Sequence, residues 1–61
     1  MYKYKVGSWI EVEMGHQWIE AKIISQTTAD FDPIYCVEIS GTKEVVWARE
    51  PRLRSIPVTP N

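Results

Sequence analysis

Two stretches in which apolar and polar residues alternate, separated by Gly15-His16, most constrain how this chain folds. The first runs from Trp9 to Met14 and the second from Trp18 to Gln26. A two-residue period is typical of a β-strand with one buried face. Because glycine at the first central position favours a type II′ turn, the two stretches predict a tight β-hairpin.

The two-residue turn fixes the pairing of this hairpin, so that the apolar side chains of both strands share one face. The pairs on that face are Val12 with Ile19 and Ile10 with Ala21. The pairs on the other face are Glu13 with Trp18, Glu11 with Glu20, and Trp9 with Lys22. Two glutamates directly opposite each other are mildly unfavourable, unless a cation or a partner lies beside them.

The second strand loses its alternation at Ile24, which directly follows Ile23. Apolar residues on both faces near the end of a strand are typical of a strand that bends. We therefore expect this strand to be the central one of a small, strongly curved sheet.

The rest of the chain predicts a loop and three further strands. Residues 26–33 are rich in Thr, Asp and Pro and predict the longest loop, with Phe31 as its apolar anchor. Pro51 lacks an N–H donor, so a single 3₁₀-like turn is expected around it. The further strands are expected over Ile34–Ile39, Glu44–Ala48 and Leu53–Ile56. In the first of these, Cys36 shares its face with Glu38 and is expected at an outward or edge position.

Length and composition exclude several classes of protein. A chain of 61 residues forms one domain at most and buries only ~60% of the surface that its unfolded form exposes. Its 7 Lys+Arg against 8 Asp+Glu give a net charge of −1, which argues against a dedicated nucleic-acid binder. The single cysteine excludes an intrachain disulfide and a cysteine zinc site. No apolar run approaches the ~18 residues of a membrane span.

Five short strands, a bent second strand and a tight turn before the last strand predict an all-β fold. The expected architecture is a small five-stranded, strongly curved antiparallel SH3-like (Tudor-like) barrel, with an OB-fold as the alternative. Residues 1–5 are expected to form an N-terminal arm, residues 6–56 the barrel and residues 57–61 a flexible tail.

Four motifs, in order, resemble Tudor and agenet domains and their chromo-barrel relatives. They are the opening Val6–Val12, the second strand His16–Ile24, the third strand with its turn Tyr35–Gly41, and the ending Trp47–Arg54. The resemblance covers most of the chain. It implies a binding module rather than an enzyme.

Many domains of that family hold methylated lysine or arginine in a cage of aromatic rings at the barrel mouth. The resemblance carries the cage positions onto residues that are not aromatic, namely Met14, Ile19, Ile39 and Thr42. A complete cage is therefore not expected, although Trp18, Tyr35 or Phe31 would be available for a shifted one.

Two tryptophans and three arginines are further candidate site residues. Trp9 and Trp18 share the outward face, either as an interaction surface or covered by the arm (Tyr2 and Tyr4) or the tail. Trp47 is expected to pack in or against the core, as the resemblance implies. The basic patch comprises Arg49, Arg52 and Arg54. These either contact phosphates or an acidic peptide, or they solvate the rim and pair with Glu44 or Glu50.

The leading hypothesis is a non-catalytic module with a protein or peptide ligand, a chromatin protein among the candidates. The alternatives are a nucleic-acid-binding SH3-like domain, similar to the C-terminal domain of integrases, and a structural domain that forms a homodimer through Trp9 and Trp18. We expect no catalytic residue, cofactor, metal or membrane contact. The expected location is intracellular: nuclear for a eukaryotic chromatin reader, otherwise cytoplasmic.

Overall fold

The computed structural model describes residues 2–57, and these form one antiparallel sheet of five strands. The strand order is β4-β3-β2-β1-β5, so that β4 and β5 are the two edges. The elements are β1 (Trp9–Met14), β2 (Gln17–Ala29), β3 (Asp32–Ile39), β4 (Val45–Arg49), a 3₁₀ turn (Glu50–Arg52) and β5 (Leu53–Ser55). The predicted all-β class is confirmed. Of the predicted tail, residues 58–61 lie outside the described residues.

The β1–β2 hairpin has the predicted register, from Trp9 opposite Lys22 to Glu13 opposite Trp18. Gly15 has φ +65°, whereas His16 is not among the residues with positive φ. Positive φ at the first central residue alone is the pattern of a type II′ turn, which glycine adopts without steric cost.

The break in alternation at Ile24 is a β-bulge. The register between β2 and β3 shifts between Ile23 and Ser25, which leaves Ile24 as the extra residue, 43% exposed. A bulge bends its strand and increases the local twist. The interruption in the sequence therefore does mark an irregularity of the second strand.

The long loop predicted over residues 26–33 is wrong. β2 continues to Ala29 and β3 begins at Asp32, so only Asp30 and Phe31 form the turn. The prediction weighed Asp and Pro as turn residues, but β-branched threonines suit the pleated surface of a strand. Phe31 is 98% exposed, so it does not anchor this segment in the core.

One face of the sheet forms the core. Tyr35, Val37, Ala21 and Ile23 are fully buried on it, and Ile10 and Val12 nearly so. Cys36 lies on the face opposite the core cluster, as its expected parity requires, but its position there is covered, because the residue is only 7% exposed. Its Cα partners are Ser25 on β2 and Trp47 on β4, so β3, an inner strand next to the central β2, has neighbours on both sides at this point.

The N-terminal arm lies against the core rather than apart from it. The rings of Tyr2 and Tyr4 contact the ring of Tyr35 edge-on, with centroids 6.0 and 5.7 Å away. The Tyr4 hydroxyl donates to the Leu53 carbonyl oxygen at 3.2 Å. The described part of the chain holds no helix long and apolar enough to cross a membrane.

Candidate interaction site

The outward face of the sheet carries exposed aromatic side chains, but Trp9 and Trp18 do not form one cluster. Their partners on the facing strands place them four residues apart along the hairpin, which is roughly 13 Å at the rise of a β-strand. The pair Glu11–Glu20 lies between them. Trp9 is 49% exposed and Trp18 half-buried, so the two rings are separate features.

The cation that the glutamate pair requires is supplied by the chain itself. Arg54 on β5 is the Cα partner of Glu11, and its Nε donates to Glu11 Oε1 at 2.6 Å. The same guanidinium lies 4.3 Å from the ring centroid of Trp18, a cation–π distance. Arg54 therefore neutralises one carboxylate and covers Trp18. The expected cover by Tyr2 and Tyr4 is wrong, because both rings contact Tyr35, and the alternative cover, the tail, lies largely outside the described residues.

Trp47 is 54% exposed, which corrects the expectation that it packs against the core. Along β4, Ala48 is buried and Val46 packs against the core, so the alternation of the strand turns Trp47 to the other face. Val45, on the same face as Trp47, is 49% exposed. The alternation of side chains along β4, and not the family resemblance, therefore determines that Trp47 is exposed.

The outer edge of β4, away from β3, also presents peptide groups that a partner strand could bind. The Ile39 N–H donates to the Glu44 carbonyl oxygen at 2.7 Å, so the peptide groups of residue 44 face β3. Because these groups alternate sides along an antiparallel strand, those of Val46 and Ala48 face β3 and those of Val45 and Trp47 face outward. Among the described residues, no strand pairs with this outer edge.

Three of the four positions that correspond to an aromatic cage are apolar and at least partly buried. Ile39 is 5% exposed, and Met14 and Ile19 pack against the core. Thr42 is exposed in the β3–β4 turn, where its Oγ1 accepts the Glu44 N–H at 3.2 Å. The tyrosine cluster is no open cage either, because the ring of Tyr35 is 0% exposed.

The three arginines have partners other than the predicted Glu44 and Glu50. Arg49 Nη1 lies 3.4 Å from Asp32 Oδ2, and both side chains are largely exposed. Arg52 Nη2 donates to the Glu13 carbonyl oxygen at 2.7 Å. With Arg54 bound to Glu11, each arginine contacts a group of its own chain, and the three do not form one free patch.

Glu50 instead joins the arm to the core through Tyr35. The Tyr35 hydroxyl donates to Glu50 Oε2 at 2.6 Å, and the Lys3 N–H donates to the same oxygen at 3.1 Å. The bond from Tyr35, and then that from Lys3, lower the pKa of Glu50 below its ordinary value of 4.5. Burial, and then the bond to Glu50, raise the pKa of Tyr35 above 10.0. At neutral pH the uncharged Tyr35 hydroxyl therefore donates to the ionised carboxylate of Glu50.

A notch of about 240 Å³ lies where β3 runs beyond the end of β4. The pairing of β3 with β4 ends at Ile34 and Arg49. Beyond this pair lie Asp32 and Pro33, at the start of β3, and the 3₁₀ turn that follows β4. The residues that line the notch are Asp32, Pro33, Arg49, Glu50 and Pro51. Sequence reasoning missed this site, because it placed Asp32 and Pro33 in a loop instead of beside Pro51.

Comparisons with protein-family models, curated protein sequences and solved structures find no match to this chain. Within residues 2–57, no group of three or more His, Cys, Asp or Glu side chains is arranged to hold a metal ion. The geometry of the site itself offers an edge strand with exposed apolar side chains and a notch beside an exposed Phe31.

Proposed function

We propose that this chain is a non-catalytic interaction module of the Tudor-like type that binds an extended protein segment along the edge of β4. The observation that carries the proposal is the combination found on this strand. The peptide groups of Val45 and Trp47 face outward, and their side chains are 49% and 54% exposed. An extended segment that adds to a sheet edge gains main-chain hydrogen bonds and contacts for alternate side chains.

The contrast with the other edge supports β4 as the binding edge. Natural sheets protect their edges with short strands, charged side chains and prolines. β5 has only three residues, carries Arg54 and is soon followed by Pro57. β4 has five residues, and its four residues before Arg49 are uncharged. An edge without protection is where a partner strand pairs most readily.

The finer fold assignment, an SH3-like barrel of the Tudor type, is part of this proposal. It is supported by the bulged β2, by the 3₁₀ turn directly before β5, and by the pairing of β5 with β1. The four sequence motifs add to this support. The proposed ligand is not read as a methylated cation, because the positions of a cage are held by Met14, Ile19, Ile39 and Thr42.

The ligand expected from this edge is an extended peptide with an apolar side chain at every second position. Side chains of an added strand alternate between the two faces of the sheet. Those on the outward face would lie beside Val45 and Trp47. Nucleic acid suits the site less well, since Arg49 and Arg54 already pair with carboxylates.

Titration of the ¹⁵N-labelled domain, followed by NMR, tests the proposal. The probe is a short peptide that alternates Val with Thr, compared with the same peptide N-methylated at its bonding amides. We expect the amide signals of Val45 and Trp47 to shift with the first peptide only. Trp47→Ser should weaken binding, while Trp9→Ser, which removes an equally exposed ring from β1, should not.

Three further arms distinguish the alternatives. Shifts confined to the surroundings of Met14, Ile19 and Thr42, and seen only with methylated-lysine peptides, would contradict the edge and support a shifted cage. Shifts with a single-stranded oligonucleotide that vanish as salt rises would support nucleic-acid binding instead. Equal binding of the N-methylated peptide would exclude strand addition.

A further inference from the structure

Phe31 occupies the tip of the β2–β3 hairpin in a conformation that its side chain disfavours. Asp30 and Phe31 have φ +51° and +68°, which together define a type I′ turn. Such turns favour Asn-Gly, because both central residues are left-handed. A bulky aromatic residue is rare there. Strained residues of this kind cluster at binding sites, where the surroundings hold them in place.

The hairpin also projects Phe31 away from the rest of the sheet. β1 pairs with β2 only as far as Lys22, and β4 reaches β3 only as far as Ile34. Beyond these residues no third strand flanks the tip, although the Tyr2 hydroxyl lies 3.0 Å from Thr28 Oγ1 near it. Phe31 itself is 98% exposed. The ring is thus held out in water, although burial of a phenylalanine side chain is strongly favourable.

The notch beside the tip has room and chemistry for one aromatic ring. Its volume is about 240 Å³, and Pro33 and Pro51 give it rigid apolar walls. Arg49, also in its lining, carries a guanidinium of the kind that stacks on aromatic faces. The ring of Phe31 does not occupy the notch of its own chain, since it is almost fully exposed.

We propose that two copies of this chain associate about a two-fold axis, with Phe31 of each copy in the notch of the other. Phe31 directly precedes Asp32 and Pro33, which line the notch, so ring and notch belong to one small surface. A two-fold contact uses the same surface of both copies, and therefore both rings are buried in one encounter. This inference goes beyond the proposed function, which uses the outer edge of β4.

The area involved predicts a weak dimer. A phenylalanine buries roughly 150–250 Å², so two rings and the notch walls that they cover amount to roughly 600–1,000 Å² in total. Stable interfaces bury about 1,200 Å² or more. The association should therefore be concentration-dependent and visible at about 1 mM.

Sedimentation equilibrium of the whole chain at up to about 1 mM, the range of weak complexes, tests the dimer. Phe31→Gly is the decisive variant, because glycine suits the positive φ of this position and the hairpin keeps its turn. We expect the weight-average mass of the wild type to rise above the monomer mass as concentration increases, and Phe31→Gly to remain monomeric. Trp47→Ser is the matched control, since it removes an exposed ring outside the notch, and it should dimerise like the wild type.

Three results would overturn the proposal. They are a wild type that stays monomeric at this concentration, a Phe31→Gly variant that still dimerises, and a dimer that only Trp47→Ser abolishes. The last would assign self-association to the β4 edge.

A complementation experiment separates the reciprocal contact from other roles of Phe31. Arg49→Glu places a carboxylate where the negative face of the ring would stack, so this variant keeps a ring and loses a suitable notch. Labelled Phe31→Gly keeps the notch and lacks the ring. Addition of unlabelled Arg49→Glu should shift the notch amides of Asp32 and Glu50, whereas addition of unlabelled Phe31→Gly should not. If neither addition shifts them, the ring does not enter the notch and the proposal is wrong.

Discussion

Two hairpins share β2, and the turn of each contains a residue with positive φ. In the β1–β2 turn this residue is a glycine, whereas the β2–β3 turn includes a phenylalanine. The β1–β2 turn places Gly15 at φ +65°, a conformation that glycine adopts freely. The β2–β3 turn places Asp30 and Phe31 at φ +51° and +68°, where aspartate is well tolerated but a bulky aromatic residue is not. Both turns have two residues, so loop length does not explain the difference.

The difference shows where the chain keeps a residue that folding alone does not favour. A left-handed conformation costs a non-glycine residue roughly 1–2 kcal/mol. Phe31 bears this cost and in addition leaves its ring in water. The β1–β2 turn ends in the exposed polar His16 and bears neither cost. The comparison thus separates a turn that serves folding from one whose tip we assign to binding.

The largest expected effect is at the favourable turn. Gly15→Ala should destabilise the domain by about 1–2 kcal/mol, because alanine is strained at positive φ. The effect is purely conformational, since a Cβ at this position meets no atom within 4 Å. In a thermal melt followed by circular dichroism, a loss of this size lowers Tm by roughly 5–15 °C. His16→Ala is the control in the same turn and should melt near the wild type.

Phe31→Gly should act in the opposite direction and stabilise the monomer by about 1 kcal/mol. Glycine removes the left-handed cost, and little packing is lost because the ring is 98% exposed. Urea denaturation, at concentrations too low for association, measures the gain. Phe31→Ala removes the ring but keeps the Cβ, so it should leave stability nearly unchanged. Equal stability of all three proteins would mean that the turn is not strained.

The smallest expected effect concerns the hydrogen bond from the Tyr35 hydroxyl on β3 to Glu50. At the β2–β3 hairpin, the bond from Tyr35 lowers the pKa of Glu50 below 4.5, so the unfolded chain takes up this proton first as pH falls. The stability from Glu50 is therefore fully present above pH 4.5 and lost as pH falls through the lower folded-state pKa. Glu50→Gln, which keeps an oxygen acceptor, should flatten the acid limb of a urea-denaturation series.

Glu44→Gln provides the matched control, because it removes an exposed carboxylate at the other end of β4. If it flattens the acid limb as much as Glu50→Gln does, the effect is one of net charge. Tyr35 has the opposite sign on the alkaline side. Its pKa is raised, so its contribution is present below pH 10.0 and lost as pH rises through the higher folded-state pKa.

The parts of the fold that the sequence predicted correctly are those where several local signals agree. In the β1–β2 hairpin, alternation, a glycine turn and the need to bury one face all indicate a single register, and the structure has it. The 3₁₀ turn at Pro51 was predictable because proline lacks a donor. At Ile24 the loss of alternation alone indicated the irregularity of β2.

Prediction failed where a residue occupies a position against its preference or where a partner is distant in sequence. Asp30 suits a type I′ turn, but Phe31 stands where glycine is usual, so the pair did not reveal the tip of the hairpin. The exposure of Trp47 follows from the alternation of side chains along β4, but the prediction for this residue followed the family resemblance instead. The contact of Arg54 with Glu11 joins β5 to β1 and depends on a pairing that no local pattern indicates.

The bulge at Ile24 means that the chain has one residue more than the pairing of β2 with β3 uses. On either side of it, Ile23 opposes Val37 and Ser25 opposes Cys36, as in an uninterrupted ladder. Deletion of a residue from a strand ordinarily turns every later side chain to the wrong face. Deletion of Ile24 would instead restore strict alternation. We therefore expect β2 to tolerate the deletion of this one residue, and a cooperative thermal melt of the deletion variant would show it.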